Sequence, residues 1–138
     1  MTEQQIIQIK KSWRIFRQID PQLVGGVFYD KLFKEYPSLR KMFKGPIEQQ
    51  SQKLIDMLSA IVMHLDHLDD LKEDIRSLAV RHVAYGVKVE HYNAVGSALL
   101  WTLQQGLGKD WNNETEEAWS SCYGMLAATM IQAAAQKV

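Results

Sequence analysis

Apolar residues in this chain recur at intervals of three and four, and never for long at two. That spacing gives a helix one dry face, whereas a half-buried strand needs strict alternation. The three prolines agree with it: Asp20-Pro21, Tyr36-Pro37 and Gly45-Pro46 each stand where a helix can begin, and none interrupts an apolar run. The chain is therefore expected to be all-α, with seven or eight helices of mixed length and not a regular four-helix bundle. Its 138 residues suit one domain, 1–138, that buries about two-thirds of the surface its unfolded form exposes.

The first helix is expected from Thr2 or Glu3 to about Gln18, capped by Thr2, with Ile6, Ile9, Trp13 and Phe16 inward. The second runs from Pro21 to Tyr36 and turns Leu23, Val27, Phe28, Leu32 and Phe33 inward. It contains Gly25 and Gly26, each costing about 1 kcal/mol in a helix interior, and close approach of another helix is the reason offered. Pro37 to Phe43 has room for a helical turn or two, and Lys44 to Pro46 makes a corner. A longer helix follows from Ile47 to His64 or Leu65, with Leu54, Met57, Leu58, Ile61 and Leu65 as its buried stripe, and then a polar link from Asp66 to Asp70.

The next helix starts near Leu71 and places His82 among Leu78, Val80, Val83 and Tyr85. Gly86 stops it, since glycine takes the left-handed conformation that lets a chain leave a helix. An apolar segment from Glu90 to Leu107, closed by Gly108, includes Tyr92, Val95, Leu99, Leu100 and Leu103. The last helix opens on Asn113 and Glu116, which have capping-box spacing, and Glu114, Glu116 and Glu117 suit the positive end of its dipole. Trp119, Tyr123, Leu126, Met130 and Ile131 keep helical spacing from there.

Sixteen basic residues balance sixteen acidic ones, which argues against nucleic acid and anionic membrane as partners. The single cysteine, Cys122, allows no internal disulfide and reads, like the six methionines, as core filling. MTEQQIIQIKK lacks the pattern of a secretory signal, and no run approaches the length of a membrane span, so a cytoplasmic protein is expected. His64 and His67 are three apart, but no further ligand stands at a recognisable spacing, and His91 reads as a surface residue. An imidazole such as His82, on a short helix aimed at an apolar interior, suits a metal or haem iron, though alone it is more often a core histidine with a hydrogen bond.

Three stretches carry a family resemblance. FYDKLFKEYPSLRKMF (Phe28–Phe43), KGPIEQQSQKL (Lys44–Leu54) and RHVAYGVKVEHYNAVGSALL (Arg81–Leu100) together resemble the single-domain bacterial globins, of the Vitreoscilla haemoglobin and Hell's Gate globin kind, and the globin domain of flavohaemoglobins. The resemblance covers the whole chain and rests on Tyr29, Pro37, Phe43, Gln50 and His82 at family spacing. It implies the globin fold, a three-over-three helical sandwich, and haem b as cofactor. By resemblance His82 is the proximal iron ligand, Gln50 the distal residue thirty-two positions earlier, and Tyr29 the second-helix residue facing the gas. Phe33, Phe43 and Leu54 would contact the haem from the distal side, and Leu78, Val87, Tyr92 and Val95 from the proximal side. Lys53 and Arg81 would reach the propionates, or serve as ordinary solvated charges. A slip of one residue would move the distal role to Gln49 or Ser51. Gly25 and Ser51 coincide with the family's close helix crossing.

A glutamine amide ligates iron poorly, so a five-coordinate ferrous form is expected. Dioxygen held at such a centre gathers negative charge, and the Tyr29 phenol and Gln50 amide are both donors. A hydrogen bond to a charged group contributes about 1.5–3 kcal/mol, and each 1.4 kcal/mol is roughly tenfold in affinity. The reading is a high-affinity, reversible dioxygen binder that also takes carbon monoxide or nitric oxide, as monomer or homodimer. In one respect the chain departs from the pattern. Tyr92 matches a tyrosine that the family pairs with a last-helix glutamate, but that place falls at Ala134, which disfavours peroxidase-like chemistry. The alternatives are nitric oxide dioxygenation with an external reductase, and a globin-type sensing or scaffold domain.

Overall fold

The computed structural model describes residues 1–43, 45–84 and 86–135, so Lys44 in the expected corner and Tyr85 beside the His82 helix lie outside the described residues. The described residues contain no strand. Helix α1 spans Glu3–Phe16, α2 Pro21–Glu35, α3 Ile47–Met63, α4 Lys72–Ala84, α5 Val89–Leu107 and α6 Asn113–Ala135. Three 3-10 segments, Pro37–Met42, Leu65–Leu71 and Gly108–Asp110, fill in between. The helices α1, α3 and α4 pack over α2, α5 and α6, with α1 and α4 on α6 and α3 across α2. Ile9, Trp13, Phe16, Leu32, Leu103 and Trp119 fill the interior.

Local chemistry accounts for the helix ends. The Thr2 hydroxyl accepts from the Gln5 amide at 3.1 Å and the Gln5 side chain accepts from the Thr2 amide, so α1 starts on a capping box. Asp20 caps α2 from one side of Pro21, accepting from the Gln22 amide at 2.9 Å. At the end of α4, Gly86 has φ of +90°, the Gly86 amide bonds the Val83 carbonyl and the Val87 amide bonds the His82 carbonyl. That is a Schellman turn, and it needs a residue that tolerates positive φ. Gly108 ends α5 with φ of +52°.

Three expectations need correction. Leu23 is 62% exposed, and Val24 takes the interior position, because the face of α2 that meets α3 runs through Gly25, Phe28, Tyr29 and Leu32. The expected polar link at 66–70 is a 3-10 helix kinked at His67 (φ −142°). Leu65, Leu68 and Leu71 explain it: with three residues per turn they share one face, and all three pack on the core. The cap of α6 is Asn112 rather than Asn113; its side-chain oxygen accepts from the Thr115 amide at 2.9 Å and from the Thr115 hydroxyl at 3.0 Å. Among the described residues no helix is long and apolar enough to cross a membrane.

Candidate functional site

The site begins where α2 crosses α3. A Cβ built on Gly25 would collide with the Ser51 side chain and stand 2.9 Å from the Ser51 Cα, so only glycine fits at position 25. Among the described residues no such neighbour explains Gly26. One turn along α2, Tyr29 is 5% exposed and its hydroxyl donates to the Gln50 main-chain carbonyl at 3.4 Å. The phenol lies at the centre of an aromatic cluster: stacked on Phe33 at 5.8 Å, and edge-on to Phe43 at 5.2 Å and Phe28 at 4.8 Å. Phe33 and Phe43 also meet each other, at 5.4 Å. Burial pushes the Tyr29 hydroxyl up to about 12, so it stays a neutral donor at physiological pH.

Gln50 is half-buried, and its amide nitrogen lies 3.3 Å from where a Cβ on Gly45 would stand. Tyr29 thus meets the Gln50 main chain, while the side-chain amide is turned toward the corner. Of the neighbouring alternatives, Gln49 is exposed and Ser51 is fully buried against Gly25. Among the described residues the Ser51 hydroxyl has no hydrogen-bond partner.

His82 stands on α4, which packs chiefly on α6, whereas α3 packs chiefly on α2. Its Nδ1 hydrogen-bonds the Leu78 carbonyl at 2.8 Å, which assigns the proton to Nδ1 and the lone pair to Nε2. Burial lowers the His82 pKa; the Leu78 hydrogen bond opposes this, and the Arg81 charge adds to it. The neutral imidazole is therefore the favoured form, and it is the form that ligates a metal.

Several apolar side chains touch the core yet stay half-buried: Phe33 and Phe43 beside Tyr29, Leu54 on α3, Leu78 on α4, and Tyr92 and Val95 on α5. Val87 is held just beyond the Schellman turn by its amide bond to His82. Lys53 and Arg81 are exposed. A half-buried neutral imidazole with its proton held at Nδ1, in a protein that keeps these apolar side chains half-buried, fits a haem.

Several contacts were not legible in the sequence. Arg40 sits over the Phe33 ring at 5.6 Å. The Tyr123 hydroxyl donates to the Tyr92 carbonyl at 2.6 Å, with its ring against Gly96, where a Cβ would come within 2.6 Å. Hence α6 holds the start of α5 by a phenol, while Ala134 offers no carboxylate. A glycine in an otherwise good helix was the available signal for that contact, but it did not name the partner. His91 is a cap, its Nδ1 accepting from the Lys88 amide at 2.9 Å. His64 bonds the Ala60 carbonyl at 2.9 Å, and the described residues contain no group of three metal-ligating side chains.

An all-helical sandwich with a half-buried neutral histidine on one helix and a buried tyrosine on another matches the class of haem-pocket proteins. The chain belongs to the globin family, whose model matches residues 26–130; globins are haem-binding proteins. A globin-like protein of Aquifex aeolicus is 30% identical over 131 residues, covering 95% of this chain and 92% of that protein. The flavohemoprotein of Bordetella pertussis is 33% identical over 107 residues, covering 75% of this chain and only 27% of the flavohemoprotein. Among solved structures, an engineered carbene transferase, a putative nitric oxide dioxygenase from Rhodothermus marinus, superposes with a TM-score of 0.89 at 27% identity, covering 99% of this chain and 94% of that one. A bacterial globin of Campylobacter jejuni superposes with a TM-score of 0.84 at 26% identity, covering 98% and 97%.

Proposed function

We propose that this globin holds haem b through His82 Nε2 and reversibly binds dioxygen with high affinity on the side facing Tyr29 and Gln50. The bound haem would supply the iron at which a diatomic gas is held. Two prepared groups support the reading: the His82 ring oriented by Leu78 on α4, and the Tyr29 phenol joined to Gln50 across α2 and α3. Tyr29 gives up the Gln50 carbonyl to donate its one proton to the gas, and Gln50 joins it when its amide swings in from Gly45. Phe33, Phe43 and Leu54 pack on the ring from one side, and Leu78, Val87, Tyr92 and Val95 from the other. Lys53 and Arg81 pair with the propionates. Carbon monoxide and nitric oxide are further ligands, and the protein works in the cytoplasm.

Absorption spectra of the ferrous, oxygenated and carbon monoxide forms test this directly, with a five-coordinate ferrous form expected. His82→Gly should lose stable haem binding; retention through another histidine would sink the proposal. A second reading, nitric oxide dioxygenation, is favoured by the likeness to flavohemoproteins and to a putative nitric oxide dioxygenase. Nitric oxide and dioxygen combine to nitrate, with one electron per cycle supplied by a separate reductase. Sustained nitric oxide consumption in the presence of a flavin reductase and NADH distinguishes that activity from a single turnover.

A further inference from the structure

We infer that Arg40 latches a passage for the gas between Phe33 and Phe43, an inference resting on the function proposed above. Of the residues that meet Tyr29, Phe28 is buried, whereas Phe33, Phe43 and Gln50 are half-buried. Among the described residues, two edges therefore lead from the buried Tyr29 toward solvent. One runs by Gln50, and the other between the two phenylalanine rings.

The second edge is a seam between elements. Phe33 belongs to α2 and Phe43 follows the 3-10 segment Pro37–Met42, and their rings close on each other edge-on at 5.4 Å and 63°. Arg40 holds both sides of that seam. Its carbonyl accepts from the Phe43 amide at 3.2 Å, and its guanidinium stands over the Phe33 ring at 5.6 Å. The side chain is exposed, and among the described residues no carboxylate pairs with it. A guanidinium suits such a contact, because it is planar, always charged and more weakly hydrated than an ammonium. For a gas to pass, the rings must part, and Phe33 cannot move aside without giving up the guanidinium. Arg40 is thus a positioning residue that acts on the gas only through the Phe33 ring.

A latch of this kind changes rates and leaves affinity alone. Entry and escape cross the same barrier, so its removal speeds both by one factor, for dioxygen and carbon monoxide alike. Loss of a hydrogen-bond donor acts differently, since it speeds the release of dioxygen far more than that of carbon monoxide.

The test compares haem-loaded Arg40→Gln and Arg40→Lys with the parent, with Phe33→Leu and with Arg40→Gln/Phe33→Leu. Lys31→Gln, which removes the contact of Lys31 over the Trp101 ring at 4.8 Å, serves as control. Laser photolysis and rapid mixing give association, release and the fraction of gas that rebinds before escaping; infrared spectroscopy gives the C–O stretching band. Arg40→Gln should raise association and release of both gases about two- to fivefold, the worth of an exposed cation–π contact, and lower the rebinding fraction. Both affinities and the C–O band should keep their parental values. Arg40→Lys retains a cation and should stay within about twofold of the parent. In the Phe33→Leu background Arg40→Gln should add nothing, as expected when one residue acts through the other. In the haem-free protein, carbon-13 spectra of the four phenylalanines should show greater motion of the Phe33 ring in Arg40→Gln, with Phe16 unchanged.

Parental rates and rebinding despite a freer Phe33 ring would mean that gas does not use this edge, and would overturn the inference. Faster release of dioxygen alone, with a shifted C–O band, would make Arg40 a support for the Tyr29 donor and overturn it too. So would equal effects with and without the Phe33 ring, or an equal effect of Lys31→Gln. A parent protein that binds neither gas sinks the proposed function and the passage with it, whereas gas binding that Arg40→Gln leaves unaltered sinks the passage alone.

Discussion

Tyr29 shows how surroundings can set one side chain apart from its chemical type. Alone in a sequence it is more often a core tyrosine, and its burial among Phe28, Phe33 and Phe43 agrees with that description. Its hydroxyl nevertheless reaches across to α3, where an apolar residue of similar shape could make no bond. Tyr29→Phe should therefore raise the dioxygen off-rate about tenfold or more while carbon monoxide release moves far less, as followed by rapid mixing. Burial also sets a pH window. The Tyr29 pKa is raised from 10.0 to about 12, so the folded form holds its proton more tightly than the unfolded one. The associated stability is complete below pH 10 and drains away as pH rises through about 12. Tyr92 and Tyr123 are shifted upward by burial in the same sense, so ultraviolet titration should show delayed phenolate formation that coincides with alkaline unfolding. The candidacy of His82, Tyr29 and Phe43 was legible through the family resemblance, since each alone reads as an ordinary core residue. The Tyr123 contact was not, because it depends on Gly96, a residue of another helix brought opposite by folding.

At the scale of the element, the punctuation of the chain was easier to read than its register. Thr2, Asp20, Gly86 and Gly108 act where the sequence placed them, since a cap or a left-handed turn is satisfied within a few residues. Errors arose where two readings were locally equivalent. Asn112 and Asn113 are adjacent and chemically identical, and only the direction of the incoming chain decides which one faces the Thr115 amide. Asn112→Ala should consequently destabilise the protein by about 1 kcal/mol, and Asn113→Ala by much less, as thermal or urea unfolding will show. The leucines at 65, 68 and 71 followed the same logic. Four acidic or imidazole side chains between them suggested a loop, but the spacing of three suits a 3-10 helix, and burial of its apolar face won.

For the molecule as a whole, anchorage is uneven. The helix α5 buries Ala94, Gly96, Ala98, Leu99, Thr102, Leu103 and Leu107, whereas α4 buries only Ile75 and Ala79. The helix carrying His82 is thus the one with the least interior of its own, and on the proposed function its remaining apolar face packs on haem. Removing the haem should lower the unfolding midpoint and make α4 the fastest-exchanging helix in amide hydrogen exchange; uniform protection across the apoprotein would contradict this. The sequence by itself determined that the chain is helical and where most helices start and stop, because periodicity and capping are local, and its family resemblance named the candidates for a haem and a gas. Only the tertiary structure decided which face of α2 turns inward, that Gly25 rather than Gly26 permits the crossing, and that Tyr29 meets the main chain of Gln50. Those outcomes depend on distances between helices far apart in sequence, and packing fixes them to within tenths of an ångström that no local pattern encodes.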